Sequence, residues 1–420
     1  MEVVLGQNKS RYQFLLVALA FCTWGFIFLD RLAIYFLLPV IQQDISISYT
    51  QVGVIGFWTA LFYSASAIIV GIMADKMGNR KRLLVIFVFG AAIFSGLCAV
   101  TETLGQLMVC RAFVGLCEGP VLPLLLSLVA DVSGSKNYGR NAGIVNAGVA
   151  VIASTLGPVF VTQLAVVYNW QYAFLLSAVP TFILAILLMF LVKNTQKVDL
   201  STGVEATDAV AKQKVKFSDL LKYRNFIICC IIAILEIGAY WVINTYASLY
   251  LTNVAKLSVT AMGFAMGVMG LLTIFYDVFF PKLSDNFGRR KIVTIAFSIA
   301  FLGPLGMFIF QGSYTSVIFF MLFGGAVAGS CPIIMAVIPS ETLPLALRTT
   351  AIAVCMGLGE FVGGTLWPFV AGVISDARGV AFMFLICAIM MALIIVLCRL
   401  LKETHAKKSN TELDTTTLSA

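Results

Sequence analysis

Twelve stretches of this sequence are apolar for roughly the thickness of a bilayer, and that repetition constrains the fold more than any single motif. Breaks at polar, Gly-rich or Pro-rich points place the stretches near 13–40, 51–74, 83–101, 105–131, 140–167 and 171–193. A second set follows near 226–251, 258–282, 292–311, 314–340, 346–374 and 380–402. Charged residues make up only 11% of the chain, against about 25% in a soluble domain. A backbone crossing lipid must satisfy its own N–H and C=O groups, which leaves helices for runs of this length. The reading is an all-α membrane protein of twelve transmembrane helices in a lipid bilayer. The first run is too long for a signal-peptide core and counts as a span. Ten cysteines stand singly or as the pair Cys229-Cys230 in apolar stretches, without metal-ligand spacing. They are read as packing residues, and no metal or cofactor is expected. The one histidine, His405, lies in the polar tail, away from any proton path through the membrane. No nucleophile-base set points to an enzyme.

Basic residues orient the spans. Of 28 Lys and Arg, 24 fall in the N-terminal tail, alternate loops and the C-terminal tail, while the opposite loops hold only Lys256 and Arg378. The positive-inside rule then puts both termini in the cytoplasm. The net charge of +8 follows from this asymmetry and needs no nucleic-acid partner. Short outer loops without an Asn-x-Ser/Thr acceptor favour a bacterial inner membrane. The expected organisation is a six-helix bundle over 1–193, a cytoplasmic linker over 194–224, a second bundle over 225–402 and a tail over 403–420. The linker carries Asp199, Glu205 and Asp208 and is expected to form a short surface helix near Val215–Lys222. The chain is expected to act as a monomer.

The two sets of spans repeat. Gly71-Ile-Met-Ala-Asp75-Lys-Met-Gly78-Asn-Arg80-Lys81 joins spans two and three, and Pro281-Lys-Leu-Ser-Asp285-Asn-Phe-Gly288-Arg-Arg290-Lys291 joins spans eight and nine. An offset of 210 residues relates Asp75 to Asp285, Gly78 to Gly288, Arg80 to Arg290, Asp131 to Glu341 and Pro158 to Pro368. Duplicated halves are what a rocking transporter needs. In each loop Gly permits the tight turn, and the Asp at the helix end can pair with basic residues of a neighbouring span. Such contacts bias a two-state equilibrium when they must break for opening. The expected gate comprises Asp75, Arg80, Asp131, Arg140, Asp277, Asp285, Arg290 and Glu341. Asp277 is placed there because it precedes Pro281 near the predicted end of span eight.

The pattern Gly-x-x-x-Asp-x-x-Gly-x-Arg-Lys resembles the signature loop of the major facilitator superfamily, over nearly the whole chain. Arg111-x-x-x-Gly115 in span four is similar to a second motif of that superfamily, and Gly157-Pro158 is a fragment of a motif typical of its drug/proton antiporters. The resemblance implies two pseudo-symmetric six-helix bundles, with spans one, four, seven and ten lining a central cavity.

Ionisable groups at membrane depth are costly and read as functional by default. They are Asp30 and Arg31 in span one, Arg111 and Glu118 in span four, Glu236 in seven, Asp277 in eight and Glu360 in eleven. A pore-facing Arg can hold a carboxylate through two parallel hydrogen bonds. The alternatives are an interhelical ion pair for Asp30-Arg31 and hydrogen bonds to backbone carbonyls for Arg111. A carboxyl group whose surroundings switch between apolar and basic takes up and loses a proton in step. Glu360, in Gly357-x-Gly359-Glu360-x-x-Gly363-Gly364, faces the cavity or pairs across a packed interface; both readings stay open.

Leu29-Asp30-Arg31 followed by Arg111-x-x-x-Gly115-x-x-Glu118-x-Pro120, with Trp170-x-x-x-Phe174 opening span six, resembles the anion:cation symporter family. That family takes up sugar acids and other organic anions with protons or sodium. The resemblance implies proton carriage by Asp30 and Glu118, carboxylate binding by Arg31 and substrate contact by Tyr63. Tyr35, Asn146, Tyr240, Asn244 and Trp367 complete an expected aromatic and polar site with Arg111 and Glu360. The function expected is proton-coupled symport of a small organic anion. Five acids against two bases in the membrane keep open a carrier of cationic or zwitterionic solutes, or a drug/proton antiporter.

Overall fold

The computed structural model describes residues 2–77, 79–193 and 220–404, without the side chains of 2–10, 75–77, 135, 136, 345, 346 and 349. The expected linker helix lies largely outside the described residues, as do Asp199, Glu205, Asp208 and His405.

Twelve of the described helices are long and apolar enough to cross a membrane. They are α1 (Arg11–Asp44), α2 (Tyr49–Ala74), α3 (Arg80–Val100), α4 (Leu104–Gly134), α5 (Asn137–Val167) and α6 (Trp170–Leu191). The second six are α7 (Arg224–Asn253), α8 (Val259–Phe287), α9 (Arg289–Ile309), α10 (Tyr314–Thr342), α11 (Thr350–Arg378) and α12 (Ala381–Leu400).

The repeat seen in the sequence extends into local geometry. Ser48 Oγ accepts the Gln51 N–H at 3.2 Å to start α2, and Ser258 Oγ accepts the Ala261 N–H at 3.3 Å to start α8, again 210 residues on. Side-chain oxygens at this position satisfy otherwise orphan amides. Wide π-type turns interrupt α5 at Val149–Leu156 and α11 at Gly359–Gly363, and these start 210 residues apart. α4 breaks at Gly119-Pro120, and α10 passes through a tight 3-10 stretch, Gly324–Ser330. Irregular turns of this kind inside spans cluster at functional sites.

The first six helices meet the last six along α2–α11, α5–α8 and α1–α7. Without a hydrophobic drive between helices in lipid, small residues and close approach carry such seams. Gly53 of α2 backs onto the Pro368 carbonyl of α11, and its repeat mate Gly263 of α8 backs onto the Pro158 carbonyl of α5. A Cβ on either glycine would collide with its neighbour.

The tails and basic loops mark one end of the molecule, here the basic end. Hydrogen bonds between the two sets of six gather at the opposite, far end. There the Asp376 carboxylate accepts the Tyr49 and Thr50 N–H groups at 2.9 and 2.8 Å. The Tyr246 hydroxyl donates to the Tyr49 carbonyl at 3.0 Å, and the Ser248 hydroxyl donates to the Tyr35 carbonyl. The far end is thus sealed, and the central cavity described below lies on the basic side of this seal.

Candidate functional site

The site is built around Leu29-Asp30-Arg31, midway along α1. Arg111 reaches across from α4 and donates to the Asp30 carbonyl at 2.9 Å and to the Arg31 carbonyl. A carbonyl already bonded in a helix has a second lone pair, which a guanidinium fork can use. The same turn of α4 is clamped from the other side. The Thr59 hydroxyl of α2 donates to the Ile55 carbonyl at 2.8 Å and approaches the Arg111 carbonyl at 3.3 Å, while Gly115 packs directly on the Thr59 backbone. The motif Arg111-x-x-x-Gly115 therefore sets the spacing of α1, α2 and α4.

Asp30 is fully buried; the Thr181 hydroxyl of α6 donates to one of its oxygens at 2.7 Å, and the other has no partner among the described residues. Neither carboxylate oxygen of the buried Glu118 has a hydrogen-bond partner there either. Arg31 and Arg111 act on Glu118 through space, and Asp30 and Glu118 act on each other.

Arg31 sits on the seam between α1 and α7, only 4% exposed. Its guanidinium lies 4.3 Å from the Tyr63 ring, 4.4 Å from the Trp241 ring and 5.5 Å from the Phe28 ring. The structure gives it no ion pair among the described residues. Three ring faces stabilise a guanidinium without neutralising it. Trp241 also donates its Nε1–H to Glu360 at 3.2 Å. The arginine of α1 and the carboxylate of α11 are thus joined through one indole.

Glu360 and Asp277 face a cavity of about 260 Å³ shared by α1, α5, α7, α8, α10 and α11, which Asn146, Tyr240, Phe28 and Trp24 also line. Below the wall, the Ser330 hydroxyl donates to Glu236 at 2.9 Å, and the second Glu236 oxygen has no partner among the described residues. A larger cavity of about 840 Å³ lies between α1, α5, α6 and α8, but its lining is apolar apart from Thr155 and Gln163. The smaller cavity carries the ionisable groups.

The structure brings together part of the expected set. Arg31, Tyr63, Tyr240, Asn146 and Glu360 lie in or beside the cavity. Arg111 does not: its fork is occupied by two backbone carbonyls, so it positions α1 instead of presenting a carboxylate anchor. Asn244 turns back to the Tyr240 carbonyl at 2.8 Å, Trp367 packs on Gly238 of α7, and Tyr35 is buried beside Trp241 with its hydroxyl towards Gly56 of α2. For Glu360 the cavity-facing reading holds, with an interhelical hydrogen bond as well.

The basic end differs from the expected gate in three respects. Asp277 lines the cavity because α8 continues through Pro281 to Phe287. Arg80 pairs with Asp131 at 3.4 Å, but in the second set Arg289, not Arg290, pairs with Glu341 at 2.8 Å and also reaches Asp285. Both clusters lie within one set of six helices and do not bridge the two. The Arg290 amide is held instead by the Glu403 carboxylate at 3.1 Å, and Arg140 is exposed. The side chain of Asp75 lies outside the described residues.

Several participants were not singled out from the sequence: Thr181, Ser330, Asp376, Glu403 and the bridging role of Trp241. For Trp241 a signal existed, since it stands 210 residues after Arg31. Side chains at equivalent positions of two repeats can meet on the axis that relates them.

Comparison with known proteins agrees with this fold. The family model described as Major Facilitator Superfamily matches residues 15–368 and, overlapping, 278–419. The chain is 25% identical over 389 residues to the sialic acid transporter NanX of Escherichia coli, covering 90% of this chain and 92% of that protein. It is 22% identical over 374 residues to the hexuronate transporter of the same organism, covering 84% and 85%. Among solved structures, a bacterial homologue of the human lysosomal transporter Spinster, inward-facing and occupied, superimposes with a TM-score of 0.80 at 16% identity, covering 93% of this chain and 96% of that one.

Proposed function

This chain belongs to the major facilitator superfamily, and we propose on that premise that it carries a small organic anion across the membrane together with protons, by alternating access. Arg31 is the observation that carries the reading. A nearly buried cation with ring faces around it and no ion pair among the described residues is a ready anchor for a carboxylate. The relatives named for sialic acid and hexuronate, both acids, support the same substrate class.

Residues 1–193 and 225–402 act as the two rocking units, with both termini in the cytoplasm. With the far end sealed by Asp376, Tyr246 and Ser248, the cavity opens towards the cytoplasm. Substrate binds at Arg31 from outside while Asp30 and Glu118 are protonated. Rocking about the α2–α11 and α5–α8 seams then exposes both to the inside, where proton loss and substrate release follow. Glu118 suits this role because its oxygens have no partner among the described residues while two arginines act on it through space.

The test is transport by the purified protein in liposomes. Glu118→Gln is expected to abolish uphill accumulation driven by a pH gradient yet preserve counterflow exchange, and Arg31→Gln to abolish both. Normal accumulation by Glu118→Gln overturns proton carriage by that residue. Uptake that follows a sodium gradient and ignores a pH gradient replaces the proton by sodium.

A further inference from the structure

Binding an anion at Arg31 leaves the carboxylates of the last six helices without a task. Asp277 and Glu360 line the central cavity, and among the described residues no Lys, Arg or His lines it. Just behind the wall, Glu236 is fully buried with one oxygen that has no partner among the described residues, next to Cys331, which is itself part of the lining. These acids are not an inheritance of the repeat. The positions 210 residues earlier are Phe26 for Glu236, Ala67 for Asp277 and Ala150 for Glu360.

A substrate offering only a carboxylate would bring one more negative charge beside two, in a cavity that loses its water on closing. Like charges repel more strongly as the surrounding dielectric falls, and unpaired charges at this depth are costly. Carboxylates beside the aromatic faces of Tyr240, Phe28 and Trp24 are surroundings suited to an organic ammonium. The geometry also sets the spacing of the two ends. Trp241 turns its face to Arg31 at 4.4 Å and its Nε1–H to Glu360 at 3.2 Å, so the anion and cation sites stand about one indole apart.

We infer that the substrate is a zwitterion whose carboxylate meets Arg31 while its ammonium group sits between Asp277 and Glu360. The inference rests on the proposal that Arg31 holds a carboxylate, and it narrows the organic anion to one bearing an amine across a ring-sized spacer. Neither end requires a cofactor or a bound metal.

Three probes built on one ring separate the contributions: 4-methylbenzoate, 4-(aminomethyl)benzoate and 4-methylbenzylamine. Their affinities are measured by calorimetry on the full-length protein in nanodiscs. The unaltered protein is expected to bind the aminomethyl acid at least ten-fold more tightly than the methyl acid. The double variant Asp277→Asn/Glu360→Gln is expected to reverse that order, losing affinity for the aminomethyl acid and gaining several-fold for the methyl acid as repulsion is removed. That gain also shows that the variant is folded. Equal binding of the two acids by the unaltered protein, a preference that survives the double substitution, or no measurable binding of the aminomethyl acid each overturns the inference. Amine binding as tight as that of the aminomethyl acid overturns it too, because the carboxylate end would then contribute nothing. Arg31→Gln distinguishes the underlying proposal. If it fails to weaken the methyl acid, the anion site falls, while the amine-dependent preference and its loss in the double variant still stand or fail on their own.

Discussion

The first six helices and the last six share seams, caps and π-type turns at an offset of 210 residues, yet none of their membrane-embedded charges occupy equivalent positions. Asp30, Arg31, Arg111 and Glu118 have Tyr240, Trp241, Met321 and Ala328 as their repeat mates, while the mates of Glu236, Asp277 and Glu360 are apolar. In the first set two bases accompany two acids, and one of the bases, Arg111, is tied to the α1 backbone. In the second set all three are acids, and two face the cavity. A duplicated scaffold supplies the motion, which needs symmetry. Recognition and coupling need asymmetry, and here they are divided between the halves.

The sharpest way to break this comparison is to remove one charge from each set. Arg111→Met keeps the bulk but removes a cation that acts on both buried acids, Asp30 and Glu118, and releases two carbonyls of α1. Removing one partner of a buried charge network costs about 3–5 kcal/mol. Glu236→Gln keeps the acceptor for Ser330 and replaces a carboxyl oxygen that has no partner among the described residues, so its unfolding midpoint is expected to stay level or rise. Unfolding of both variants in a mixed-micelle titration checks the contrast. A loss at Glu236 equal to that at Arg111 would mean that the acids of the second half are structural as well.

How much of this was legible depends on what each residue's role requires. Span number and the repeat follow from apolar length and a fixed offset, and both were readable. Arg31 and Glu360 stand out because charge at a given depth limits where a side chain can go; Arg80 and Asp131 stand out singly as gate residues, and only the structure pairs them. Pro281 suggests a helix end close to Asp277, but the helix does not stop there. α8 runs ten residues past Asp277 to Phe287, which puts it about 15 Å inside that end. The choice of Arg289 over Arg290 hangs on a single residue of helix phase set by Gly288, whose φ of +97° starts α9. Arg111 was ambiguous for a different reason: a guanidinium that binds carbonyls and one that binds substrate have the same sequence signature.

A second test concerns the two seams. Asp376 caps the start of α2 with both oxygens, whereas its repeat mate, Val166, offers nothing to the start of α8. A helix-capping side chain contributes about 0.5–2 kcal/mol, and an anion there also meets the helix dipole. Asp376→Asn is therefore expected to speed hydrogen exchange of the Tyr49 and Thr50 amides about ten-fold, equivalent to about 1.4 kcal/mol. Exchange at Val259 and Thr260 should not change. Unchanged exchange at Tyr49 would show that the far-end seal does not depend on this carboxylate, and the two seams would then be equivalent.

The smallest difference lies at the basic end, where the repeated acids Asp131 and Glu341 both meet an arginine. Arg80 touches Asp131 at 3.4 Å with side chains 36% and 24% exposed, whereas Arg289, 11% exposed, approaches Glu341 at 2.8 Å. Glu341 also accepts the Thr404 hydroxyl at 2.6 Å, and Glu403 takes the Arg289 amide at 2.8 Å. Exposed pairs contribute about 0–1 kcal/mol after screening. Asp131→Asn should therefore leave the unfolding midpoint where it is, and Glu341→Gln should lower it by a small, salt-sensitive amount of about 0.5–1 kcal/mol. The tail residues anchor the second cluster, and among the described residues nothing does the same in the first, so truncation before Lys402 should reduce the effect of Glu341→Gln towards that of Asp131→Asn. If the truncated chain still responds to Glu341→Gln as the full chain does, Arg289 alone holds that cluster and the asymmetry at this end lies in the arginine's position, not in the tail.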